Sequence, residues 1–222
     1  MDNSYIFNID KNVFNIFSSN SINELIKKYN IDNYYYLNQI HSDIVYHVDE
    51  NYINNSDGDA LITNKVNIPL VIKTADCVAI LIYDKKNKVI ATVHSGWKGT
   101  LKSIAVKTVK EMIDKYNSKS EDINVYLYPS IRKCHYEVGF DVYEKFKVNT
   151  ANIDKYVIKK NNKYYLSLQD IIIADLHKIG IFNIMDSNIC TYCNHNKYYS
   201  YRYNHTDKRN YLLVMLKEQL WK

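Results

Sequence analysis

The chain is short of glycine and proline. It has five glycines and two prolines in 222 residues, which excludes collagen-like and low-complexity linker classes. No apolar run approaches the roughly 20 residues a membrane helix requires. The opening MDNSYIFNIDKN lacks the basic-then-apolar order of a signal peptide, so a cytoplasmic location and no membrane partner are expected. Arginine is scarcer than its charge class suggests: of 29 basic residues only Arg132, Arg202 and Arg209 are arginine. Lysine can supply charge anywhere, so arginine points to a planar, multi-donor task such as gripping phosphate or carboxylate. Four cysteines are too few for a disulfide scaffold and read as thiols, ligands or nucleophiles. The only CxxC is Cys190-Thr-Tyr-Cys193. A four-cysteine zinc site built from two such motifs is therefore excluded, and a packing role for the pair outweighs a redox one.

The net charge of +5 and the 22 tyrosines invite a nucleic-acid surface of cations and stacking rings. No basic cluster or RNA-binding motif accompanies them, so nucleic acid is not expected as a partner. At this length the chain is expected to form one domain, residues 1–222, with a substantial core.

Hydrophobic patterning predicts a helix over 20–30 with Ser21 as N-cap and Glu24 completing a capping box, and strands on either side of His41 and Ser42 within 34–48. Asp57-Gly58 reads as a turn. The runs 69–84 and 88–95 are apolar and β-branched, as in a buried hairpin. A 3.6-residue period predicts a helix over 100–117 with Thr100 as N-cap, whose free N–H groups would favour an anion. A strand over 123–129, a loop and helix, a hairpin over 156–168 and a helix over 169–179 follow. Two strands are expected around the polar loop NHTDKR. Interspersed strands and helices give an α+β class, a domain with mixed β-sheets flanked by helices.

Two of the five glycines fall in HSGWKGT, 94–100, so close backbone approach is expected there. His41, Cys77 and His94 each flank a strand-like run and form a plausible three-ligand metal site, with imidazole and thiolate donors suited to Zn²⁺. The same residues fit a metal-free cysteine hydrolase or amidase with Cys77 as nucleophile and His94 as base. Asp76 and Asp59 could orient histidines or contact substrate, or simply serve as turn and capping residues. Arg202, Lys208 and Arg209 could converge on an anion. His135 and His205 read as surface or packing residues, and Trp97 as either a pocket wall or core.

The segments QIH, GDALIT, TADC, HSGWKGT, YPSIRKCHYEVG and SYRYNHTDKR occur in the order seen in the laccase-domain proteins, over roughly residues 35–216. This family is also called YfiH-type or multicopper polyphenol oxidase-like, and its members are regarded as purine nucleoside phosphorylases with adenosine deaminase activity. The resemblance implies a YfiH-like, CNF-like cysteine-hydrolase-type fold and a zinc ion on His41, Cys77 and His94, copper being less expected. It implies phosphorolysis of adenosine, inosine or 5′-methylthioadenosine by inorganic phosphate, and deamination by a zinc-activated water. Those nucleosides and phosphate are the partners expected of a monomer or weak homo-oligomer. Catalytic roles are expected for Cys77, His94, His41 and Asp76, and phosphate or ribose contacts for Arg202, Arg209, Lys98 and Thr100. A copper-dependent polyphenol oxidase is the remaining alternative, though the seven histidines are not grouped for it. The chain departs from the family at Arg132, Cys134-His135, Tyr203 and Lys208, and a second metal near His135 is left open.

Overall fold

A computed structural model describes residues 3–49 and 51–218. Two six-stranded sheets pack face to face. The first runs β1 (Ser4–Tyr5), β2 (Val13–Ser18), β15 (Asn210–Leu216), β7 (Leu70–Thr74), β3 (Tyr35–Asn38) and β5 (Ser56–Asp57). The second runs β14 (Asn183–Asp186), β10 (Ile123–Leu127), β8 (Val78–Asp84), β9 (Val89–Ser95), β6 (Ala60–Thr63) and β4 (Val45–His47). A small third sheet joins β11 (Glu137–Val138), β13 (Lys163–Leu166) and β12 (Val157–Lys160). Parallel and antiparallel pairs occur together. The helices are α1 (Ile22–Lys28), α2 (Trp97–Leu101), α3 (Ile104–Tyr116), α4 (Phe140–Asn149), α5 (Leu168–Lys178) and α6 (Tyr201–Asn204).

Side-chain alternation explains the layers. In β8, Val78, Ile80 and Ile82 join the core beneath α3 and α5, while Ala79, Leu81 and Tyr83 face the first sheet. In β15, Leu212, Val214 and Leu216 meet that inter-sheet core, whereas Leu213 turns outward to Leu25 of α1. The order is helix, sheet, sheet, helices. Because β8 and β9 are covered on both faces, they read in sequence as unbroken apolar runs.

The capping box of α1 forms as expected, with Ser21 Oγ accepting from the Glu24 N–H. Three expectations need correction. Residues 69–84 are not one strand. The chain leaves the first sheet at Thr74 and enters the second at Val78, and the crossing is made at Asp76, whose φ is +90°. The helix expected over 100–117 is two helices. The first begins at Trp97 behind Gly96, and Ser103 in a left-handed conformation separates it from α3. Thr100 is therefore inside a helix, and its hydroxyl shares a buried hydrogen bond with Ser95 Oγ, 2.8 Å. The segment SYRY is helical rather than extended, because Ser200 Oγ accepts the Tyr203 N–H and the Asp76 carboxylate accepts the Arg202 N–H. Tertiary bonds override its β-favouring tyrosines.

Arg132 has found a carboxylate within the protein. Its guanidinium is a two-toothed partner of Asp186 at the end of β14, with both side chains largely buried. Removing only one member leaves a buried charge unpaired, which costs about 3–5 kcal/mol. Arg132→Met should therefore destabilise the chain by about that much in urea unfolding, and the double substitution Arg132→Met, Asp186→Leu should recover most of the loss.

Candidate metal centre and cavity

The crossing between sheets puts Cys77 where β8 starts, opposite the end of β9, where Val78 pairs with Ser95 and Ala79 with His94. His41 enters from the loop between β3 and β4, in a left-handed conformation with φ +58°. The ligand atoms of His41, Cys77 and His94 lie within 4.8 Å of one another, with Cys77 Sγ 3.9 Å from His41 Nε2.

Asp59, fully buried, organises this group. One oxygen accepts from the His41 backbone N–H (3.1 Å) and lies 2.7 Å from His94 Nδ1. The other accepts from the Ser42 N–H (2.5 Å) and hydroxyl (2.6 Å). Holding the proton of His94 on Nδ1 leaves its Nε2 lone pair for the site. Gly96 must be glycine here, since a Cβ would stand 2.8 Å from His41 Cδ2 and 3.0 Å from Cys77 Sγ. Two imidazoles and a thiolate with room beside them fit zinc with an open position.

Without a metal the same group is an ion pair. Burial would raise the Cys77 thiol, but the neighbouring imidazoles of His94 and His41 outweigh it and bring its pKa down to about 6. Burial would lower His94, but the Cys77 thiolate and Asp59 lift it to about 9. Asp59 is held below the usual carboxylate range by bonds from His94 and Ser42, against its own burial.

His41, Cys77 and His94 form the floor of a cavity of about 470 Å³. Its walls include Trp97, Tyr136 and Tyr201, and its cations are Lys73, Arg202 and Arg209. Arg202 lies over the Tyr136 ring (5.1 Å) and donates to the Glu137 carbonyl (2.5 Å). Arg209 donates to the carbonyls of Thr206 and Lys208, 3.0 and 2.9 Å. Asp76 lines the cavity, yet both its carboxylate oxygens are engaged, one by Thr191 Oγ1 and one by the Arg202 N–H, each 2.7 Å.

Lys98 and Thr100 are not among the lining residues. Lys98 is exposed and lies over the Trp97 ring at 5.6 Å. Lys208 lies over Tyr199 instead, and His205, exposed, caps α6 at its C-terminal end. Sequence reasoning had not fixed the role of Asp59 and missed Tyr136 and Lys73. Only GDA, an acidic residue between a glycine and a strand, offered a signal for the first; the turn expected at Asp57-Gly58 is instead the end of β5. His135 packs on Tyr192 near the surface, and its ring nitrogen also meets the sulfurs of Cys134 and Cys193.

Two outcomes follow from this geometry. Asp59→Asn should weaken metal binding about 10–100-fold, read by competition with a chromogenic chelator. In metal-stripped protein, the lowered Cys77 contributes stability that is lost as pH falls through about 6. The raised His94 contributes stability that is lost as pH rises through about 9. The pair is therefore whole only between those values. Alkylation of Cys77, followed by peptide mass spectrometry, should be half-maximal near pH 6; a midpoint near the ordinary thiol value would show that no pair forms.

The comparisons with known proteins agree with this architecture. A crystal structure of Bacillus licheniformis hypothetical protein YfiH matches with a TM-score of 0.82 at 27% identity, covering 87% of this chain and 79% of that one. A Neisseria meningitidis structure matches with a TM-score of 0.87 at 20% identity, covering 97% and 98%; at that identity it bears on fold alone. A purine nucleoside phosphorylase of Clostridium acetobutylicum is 38% identical over 204 residues, 90% of this chain and 82% of its own. A purine nucleoside phosphorylase of Borreliella burgdorferi is 33% identical over 211 residues, 89% and 90% of the two chains. The family model for multi-copper polyphenol oxidoreductase laccase matches residues 18–217, and the chain belongs to that family.

Proposed function

We propose that the chain is a purine nucleoside phosphorylase, one catalytic domain over residues 1–222, that uses zinc on His41, Cys77 and His94. The observation that carries this reading is a three-donor group with an open side, at the floor of a cavity that also holds three cations and three aromatic walls. Relatives named for that activity support it. The substrates are adenosine, inosine or 5′-methylthioadenosine, with inorganic phosphate.

In phosphorolysis a phosphate oxygen forms a bond to the ribose C1′ as the bond from C1′ to the purine nitrogen breaks. The electron pair leaves with the base, which takes up a proton. The sugar is cationic at the transition state, so an anion must be held close to it. Lys73, Arg202 and Arg209 place positive charge on the cavity wall, and Arg202 is braced by Tyr136 and Glu137. Trp97 and Tyr201 offer ring faces to a purine. Asp76, with both oxygens engaged by Thr191 and Arg202, positions the wall rather than moving a proton. A bound zinc supplies Lewis acidity and an activated water for the second reaction, replacement of the adenine C6 amine. His94, with its proton held toward Asp59, presents the unprotonated nitrogen that such an ion needs.

Copper is the other ion this donor set could take: two histidines and a cysteine are also the equatorial donors of a blue-copper centre, whose weak axial ligand is a methionine, a glutamine or a backbone oxygen, and among the described residues Gln39 but no methionine lines the cavity. A multicopper oxidase needs more histidines than the two that meet here.

Zinc-loaded protein given adenosine should release adenine and ribose 1-phosphate only when phosphate is present, and inosine alongside if deamination occurs. Cys77→Ala should lose this metal and at least about 100-fold of the rate. Turnover that persists in the metal-free variant, or adenine released equally without phosphate, would overturn the reading.

A further inference from the structure

A second group of metal-ligating side chains lies outside the cavity. Cys134 and His135 sit in the loop before β11, and Cys190 and Cys193 in the loop after β14. Their ligand atoms also lie within 4.8 Å of one another. The loops are tied by a bridge between Ser130 and Cys190, with the Thr191 N–H donating to the Ser130 carbonyl at 3.2 Å. None of the four lines the cavity. We propose that Cys134, His135, Cys190 and Cys193 form a closed, tetrahedral Cys₃His zinc site whose role is structural.

The spacing supports a shared ion. Around zinc, with Zn–S near 2.3 Å and Zn–N near 2.05 Å, a tetrahedron has S···S edges of about 3.8 Å and S···N edges of about 3.5 Å. Cys134 Sγ is 3.6 Å from Cys190 Sγ and 3.8 Å from Cys193 Sγ. His135 Nδ1 is 3.3 Å from both Cys134 Sγ and Cys193 Sγ. Thiols are weak donors and weak acceptors, so hydrogen bonds among three sulfurs and one ring nitrogen hold such a cluster only weakly. A soft divalent cation satisfies them together. The ring of His135 is already oriented, stacked on Tyr192 with centroids 4.1 Å apart and planes at 13°. All four tetrahedral positions are filled by protein, which marks a structural site, whereas the cavity group leaves one open.

The ion would act on the cavity through the loops it joins. Thr191, between the two cysteines of the second loop, donates to Asp76, and Tyr136, next to His135, faces the cavity. Clamping the loops holds both in place.

The test uses metal content, so it stands apart from the proposed activity. Protein purified under reducing conditions should carry about two zinc ions per chain by native mass spectrometry. Cys77→Ala should keep about one, with X-ray absorption showing about three sulfurs and one nitrogen around it. Cys193→Ser in that background should lose the remaining ion. The Cys77→Ala protein leaves the cluster untouched, so folding failure of the cysteine variant does not blunt the result. A wild-type chain with about one zinc, all of it lost in Cys77→Ala, would overturn the proposal. So would a mass two hydrogens short, which would show a disulfide between these cysteines.

Discussion

The site depends on one buried carboxylate. Asp59 is sealed from solvent and receives hydrogen bonds from two backbone N–H groups, a hydroxyl and an imidazole. Such a charge is tolerable in a core only when its lone pairs are occupied. That requirement forces the loop carrying His41 and Ser42 against the strand end carrying His94. The Asp59 carbonyl also accepts the His94 N–H at 2.8 Å, so main chain and side chain fix the same register. Geometry at the candidate metal centre is thus inherited from the satisfaction of a single anion.

Asp76 performs a related service at the crossing between the sheets. Its left-handed backbone lets the chain step from one sheet to the other. Its carboxylate gathers Thr191 and the first turn of α6. Two aspartates, one bonded to His94 and one next to Cys77 in the chain, therefore shape the cavity and its floor. Neither needs to touch a substrate to do so.

Much of this was legible in the sequence where the cue was local. The capping box at Ser21, the strands beside His41 and the apolar runs of β8 and β9 follow from side-chain chemistry over a few residues. The grouping of His41, Cys77 and His94 was suggested by motif and resemblance, and the structure brings them together. What stayed hidden depends on partners distant in sequence. Nothing near residue 76 announces a change of sheet, because an apolar run looks the same whether it serves one sheet or two. Tyr201–Asn204 looked like a strand because its helix is held by Asp76, more than a hundred residues away. A second metal near His135 was left open, but its partners were hidden: the CxxC of Cys190 and Cys193 lies more than fifty residues from the Cys134-His135 dipeptide that it meets. The scarcity of arginine was a sound cue with two outcomes: Arg132 grips a carboxylate of its own chain, while Arg202 and Arg209 face the cavity.

The donors at the cavity floor come from a loop, a crossing between sheets and a strand end, and no single segment contains two of them as neighbours. A metal held there binds only the chain whose two sheets have docked. Ligation and folding are then linked, and an ion at a thousand times its dissociation constant adds about 4 kcal/mol to global stability. Chains made during metal scarcity would unfold more often and be degraded sooner. The steady-state amount of this protein, and not only its activity, would follow the supply of the ion.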